Sequence, residues 1–181
     1  MIASHDLPDP SRRKLLKLGL LGGAVLATAG AAASLSGCSA ESPAKTGFQV
    51  WREADMAFLQ ALLPVVLAGA VVPGQMPAAL HATLKNIDNG LAQVSPAMLK
   101  LTRQLLDVCS SGLTRGALTG VWSRWENARA EQVEAFLLRW RDSSLDLFRQ
   151  GHSAMLQLVL MAWYSRPESW AHCGYPGPPQ L

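Results

Sequence analysis

The chain has 181 residues, enough for one modest domain, with 16 Lys and Arg against 13 Asp and Glu and a formal net charge of +3. Four of the basic residues (Arg12, Arg13, Lys14, Lys17) and two of the acids (Asp6, Asp9) precede Cys38, so the chain from Cys38 onward carries 12 basic and 11 acidic residues. That near-neutral balance gives no sign of the concentrated basic face that nucleic-acid binding needs, and three cysteines are too few for a disulfide framework.

The first element is a targeting segment. Arg12 and Arg13 stand side by side ahead of a soft stretch of Leu, Gly and Ala from Leu18 to Ala33. The pair reads as a twin-arginine export signal, an address read by a receptor, and the stretch falls short of the about 20 apolar residues a membrane span needs. Leu35-Ser36-Gly37-Cys38 then reads as a lipobox, with Cys38 the first mature residue and the site of lipidation. Its alternatives are a buried cysteine or plain cleavage after Ala31-Ala32-Ala33. More than one acyl chain makes such an anchor stable, each buried methylene adding about 0.8 kcal/mol. The expected organisation is a signal over residues 1–37, a flexible tether over 38–47, small and polar from Ser39 to Thr46, and a helical domain over 48–181.

Within that domain the apolar periodicity is helical nearly throughout. Phe58, Leu59, Leu62 and Leu63 share a face in a helix from Phe48 to Leu67, which Pro64 kinks or ends. Val72-Pro73-Gly74 is a turn. Pro77 opens a second helix carrying Leu80, Leu84, Ile87 and Leu91, and Pro96 a third through Leu99, Leu105 and Leu106. Gly112, Gly116 and Gly120 are expected to loosen the chain around Leu113, Leu118 and Val121. A helix over Ala130 to Arg141 buries Val133, Phe136, Leu137 and Trp140. The last stripe runs from Leu145 through Phe148, His152, Met155, Leu156, Val159, Leu160 and Trp163. Past Ala154 it is apolar nearly all round, which makes that helix either central to the bundle or covered by another protein. With no alternating strand pattern, the expected fold is all-α, a single helical bundle.

Chemistry-bearing patterns are sparse. His81 and His152 lie on separate helical stretches, His152 within the apolar stripe; axial haem ligation is one reading, but no Cys-x-x-Cys-His motif occurs and both read as satisfied core or boundary histidines. His172-Cys173 lacks a second ligand pair for a metal. Gly-x-Ser-x-Gly is absent, no glycine fingerprint follows a strand, and Glu131 with Glu134 reads as a solvated face. The expectation is therefore a chain that is not an enzyme by itself and holds no cofactor. Cys109 and Cys173 could pair in an oxidising compartment, or Cys109 could simply be buried.

The C-terminal part is richer. Trp122, Trp125, Trp140, Trp163, Tyr164, Trp170 and Tyr175 crowd it, and from about residue 165 the chain becomes an irregular Pro/Gly/aromatic tail. A stiffened segment loses little entropy on docking, and Trp and Tyr make good anchors. The tail either caps its own bundle or contacts a partner.

The ending Trp163-Tyr164, Trp170 and Gly174-Tyr175-Pro176-Gly177-Pro178 resembles that of the gluconate 2-dehydrogenase subunit 3 family, small exported subunits that accompany flavin-dependent dehydrogenases of the glucose–methanol–choline type. Leu62-Leu63-Pro64, Gly120-Val121-Trp122 and the stretch from Phe136 to Phe148 fit the pattern more loosely. Two features depart from it: the lipobox is not general there, and Cys173 stands where an aliphatic residue is expected. The lipobox at Cys38, not the resemblance, implies anchoring by lipid; the resemblance implies a non-catalytic periplasmic subunit. It would stabilise an FAD-bearing large subunit and escort it through the twin-arginine translocase, with electrons leaving through a cytochrome c subunit or the quinone pool. Trp163, Tyr164, Trp170, Gly174, Tyr175, Pro176 and Gly177 would be the partner-binding residues. The rival expectation is a free-standing periplasmic helical lipoprotein with a binding or scaffold role.

Overall fold

The chain enters its folded unit through a short turn rather than a helix. In the computed structural model, which describes residues 42–72, 74–170, 173–177 and 179, Ala44 pairs with Arg52 in an isolated antiparallel bridge. The backbone N–H of Lys45 donates to Trp51 O at 2.7 Å, and that of Phe48 to Lys45 O at 2.9 Å. Residues 44–47 thus belong to the folded unit and not to a flexible tether. Arg12, Arg13 and Cys38 lie outside the described residues.

This strap is fastened to the body by one carboxylate. Asp88, buried on the second helix, accepts the backbone N–H groups of Gln49, Val50 and Trp51 at 2.7, 2.8 and 3.1 Å. Buried amides without a partner are costly, and charge-assisted bonds to one acceptor satisfy three of them at once. The Trp51 indole N–H adds a bond to Leu84 O at 3.1 Å, and the Lys85 ammonium lies over the Phe48 ring, 4.6 Å from its centre. Residues 48–52 are consumed by this strap, so the first helix starts five residues later than its apolar pattern predicts.

Helix α1 spans Glu53–Val66. Asp55, at its third position, accepts from the Arg52 backbone N–H at 3.0 Å and from the Arg52 guanidinium, which also reaches Asp107 at 2.6 Å. The bond to Asp55 is the main reason the Arg52 pKa rises above its ordinary value; burial opposes the rise and Asp107 adds to it. Pro64 is accommodated inside α1, which ends two residues later at the Leu67 cap. Helix α2 spans Met76–Leu91 and opens with Pro77, as α3, Pro96–Ser110, opens with Pro96 under a Ser95 cap.

The glycine-rich stretch is not loose. Helix α4, Gly112–Thr119, is capped at its start by Ser111 and stopped by Gly120, whose φ of +81° suits only glycine there. A short 3₁₀ turn, Trp125–Asn127, leads into α5, Ala130–Arg141, and α6, Asp146–Tyr164; a single turn, α7, Pro167–Trp170, interrupts what the sequence presents as an irregular tail. The domain is all-α, and the described residues contain no strand beyond the one bridge.

A connected series of rings forms the centre. Phe58 of α1 meets Trp125 at 5.0 Å, Phe136 of α5 meets Trp140 at 5.0 Å, and Trp140 meets Phe148 of α6 at 5.2 Å between ring centres. Each such side chain contributes about 1.5–3 kcal/mol on burial. Their indoles are satisfied by carbonyls left open near helix ends: Trp125 donates to Cys109 O and Trp140 to Leu118 O, both at 2.8 Å. α6 packs against α2 and α5, and α1 against α3, α5 and the 3₁₀ turn.

Replacing Asp88 with Ala leaves three backbone donors without an acceptor. The expected loss is about 3 kcal/mol, read as a lower urea midpoint. Asp142→Ala, removing an exposed pair with Arg141, is expected to change the midpoint little.

Candidate functional site

The C-terminal residues that stood out in the sequence divide into two groups. Trp163 follows Met155 and Val159 on the inner face of α6 and is only 4% exposed. Its ring lies beneath the Arg166 guanidinium at 5.3 Å. It is a core residue, and that burial corrects the expectation that it anchors a partner. The next side chain, Tyr164, emerges about 100° further round the helix and is exposed.

Trp170 organises the rest. Its indole N–H donates to Tyr164 O at 2.9 Å, tying α7 back onto the last turn of α6. Trp170 O accepts the backbone N–H of Tyr175 at 2.9 Å and of Cys173 at 3.2 Å. The Tyr175 ring meets Trp170 edge-on at 5.5 Å, and Gly177 approaches the indole so closely that a Cβ there would lie 3.2 Å from it. Gly174 and Gly177 turn this segment with positive φ, and Pro176 is exposed. The tail is thus folded upon Trp170, leaving the outer faces of Tyr164 and Tyr175 uncovered. Arg166 secures the base of this arrangement: it pairs with Glu168 at 3.2 Å and reaches Ala79 O on α2 at 3.4 Å.

α6 exposes one member of the apolar stripe, Leu160, and beside it Met161, which the stripe did not include; Met161 is 66% exposed, and both lie on the turn that leads to Tyr164. No Asp, Glu, Lys or Arg occurs between Arg149 and Arg166. An uncharged band along a rigid helix, ending in two exposed tyrosines and flanked by Arg149 and Arg166, has the composition of an interface centre with a polar rim. The sequence pattern was compatible with it, since a helix apolar on nearly all sides is either central to the bundle or covered by another protein.

The remaining candidates stay apart. His81 is exposed and borders a shallow cleft of about 480 Å³ lined also by Lys45, Phe48, Met56, Pro77 and Leu80. His152 is half-buried; desolvation, and then the nearby Arg141 charge, lower its pKa, while Asp142 opposes them. Cys109 is buried and free, its thiol pushed up to about 12 by burial, and Cys173 is exposed and free, so the two do not pair. Among the described residues no three His, Cys, Asp or Glu side chains are grouped to hold a metal ion. Comparison with protein-family models, with curated proteins and with solved structures gives no match.

Trp170→Ala removes the bond to Tyr164 and the seat of Tyr175. The expected cost is about 1–2 kcal/mol in global stability with the far-ultraviolet helical signal retained, and proteolysis should open the chain first within the tail.

Proposed function

We propose that this chain is a non-catalytic small subunit of a periplasmic flavoprotein dehydrogenase complex. Its partner is an FAD-bearing large subunit, which it stabilises and escorts through the twin-arginine pathway, and a lipid on Cys38 holds the pair at the membrane. The observation that carries this reading is the exposed, uncharged band of α6 with Leu160, Met161 and Tyr164 beside the folded tail. The Gly174-Tyr175-Pro176-Gly177-Pro178 ending, with its family resemblance, supplies the identity of the partner. Export in the folded state has a rationale under this reading: the cargo, not the carrier, holds the cofactor.

The shallow cleft beside His81 favours a second reading, a free-standing periplasmic lipoprotein that binds an apolar small molecule there.

A mild-detergent pull-down of the native chain, read by flavin absorbance and mass spectrometry, separates the two. A stoichiometric flavoprotein is expected, and a lone colourless chain favours the second reading. Met161→Glu, at an exposed position, is expected to leave stability unchanged and to weaken flavoprotein capture about tenfold or more. Arg12→Lys combined with Arg13→Lys is expected to strand dehydrogenase activity in the cytoplasm. Activity that still reaches the periplasm in that double variant would remove the escort role.

A further inference from the structure

We propose that the turn carrying Trp122, with Leu113 of α4, is a second membrane contact that inserts into an anionic lipid surface. Trp122 is 79% exposed and Leu113 94%, the two most exposed large apolar side chains among the described residues. The indole is held in place: it lies flat on Gly116, where a Cβ would approach within 2.5 Å of the ring. The backbone beneath is fixed as well. Gly120 turns the chain, Val121 is buried, and its N–H donates to Thr119 Oγ1 at 3.1 Å. A large aromatic is thus presented outward on a rigid base, the arrangement that suits the headgroup layer of a bilayer.

The electrostatic setting distinguishes this surface from the α6 band. Between Ser111 and Arg129 the chain carries Arg115, Arg124 and Arg129 against the single acid Glu126. The Arg139 guanidinium adds a fourth cation, close enough that a Cβ on Gly120 would lie 2.7 Å from it. Among the described residues none of these four arginines forms an ion pair. An exposed Trp and Leu on a stretch of chain with an excess of arginine complement anionic headgroups over an acyl layer, whereas a protein interface centre is depleted in charge.

The position agrees. Arg52, where the strap enters α1, bonds Asp107, and Trp125, three residues after Trp122, bonds Cys109 O. Strap and Trp122 turn therefore both hang from the last turn of α3. The six peptide links from Cys38 to Ala44 span at most about 22 Å. If Cys38 carries the lipid, as the proposed function has it, this end of the body is held close to the bilayer; the exposed residues and their charges do not depend on that reading.

The test uses the full chain with vesicles of phosphatidylethanolamine and phosphatidylglycerol bearing brominated acyl chains, which quench indoles that enter the bilayer. Trp51, Trp125, Trp140 and Trp163 are sealed in the core. Quenching is expected in the wild type and in Trp170→Phe, and is expected to be lost in Trp122→Phe. Leu113→Ser, which keeps every indole, is expected to reduce it. Arg124→Gln and Arg129→Gln are each expected to weaken the vesicle dependence about fivefold. Equal quenching in wild type and Trp122→Phe overturns the proposal, as does equal quenching on phosphatidylcholine. A flavoprotein captured by the wild type and lost in Trp122→Phe, with no quenching in either, reassigns the surface to a protein partner and also overturns it. Because the readout is the indole itself, failure here leaves the subunit reading of α6 standing.

Discussion

The carboxylate of Asp88 is the fixed point of this domain. A segment that runs across a protein interior without being helix or strand must find acceptors for every amide it buries, and Gln49, Val50 and Trp51 find theirs in one side chain. Burying a charge is costly, but three short bonds from backbone N–H groups offset that cost. Once the strap is fastened, Trp51 is locked over α2 and Arg52 is positioned to bond Asp55 and Asp107. The start of α1, and with it the register of Phe58 against Trp125 and Phe136, stems from that placement.

Much of the helical architecture was legible because proline and periodicity coincide. Pro77 and Pro96 mark the openings of α2 and α3, and α5 occupies the span its apolar spacing predicts. What escaped was tertiary in origin. Nothing local in Asp88-Asn89-Gly90 announces that the acid faces inward to a segment some forty residues earlier. Three glycines spaced by four looked like a loosened chain, yet Gly116 is there because the Trp122 ring needs the room, while Ser111 and Gly120 cap an ordinary short helix. The candidate site was half legible. Trp170, Tyr175 and Gly177 do come together, but adjacent aromatics on a helix face opposite ways in part, and Trp163 faces the core while Tyr164 does not.

The two exposed apolar surfaces differ in a way that composition alone conceals. Across the chain from Cys38 onward the charges nearly cancel, but the α6 band has none and the Trp122 turn has cations left over. A surface without charge loses little on desolvation against another protein; one with unpaired arginines keeps its favourable interactions only where water or phosphate remains within reach. The two surfaces therefore suit neighbours of different chemistry.

The contrast between its two placed cysteines has a practical side. Burial holds the Cys109 thiol protonated and out of reach, while the Cys173 thiol lies exposed one residue before Gly174, at the edge of the tail that folds onto Trp170. Of these two, a thiol-directed dye on the native protein would modify only the second. The molecule thus carries a built-in attachment point for a probe at the border of its α6 face, and a shift in that probe's emission would report the arrival of a neighbour without altering a single residue.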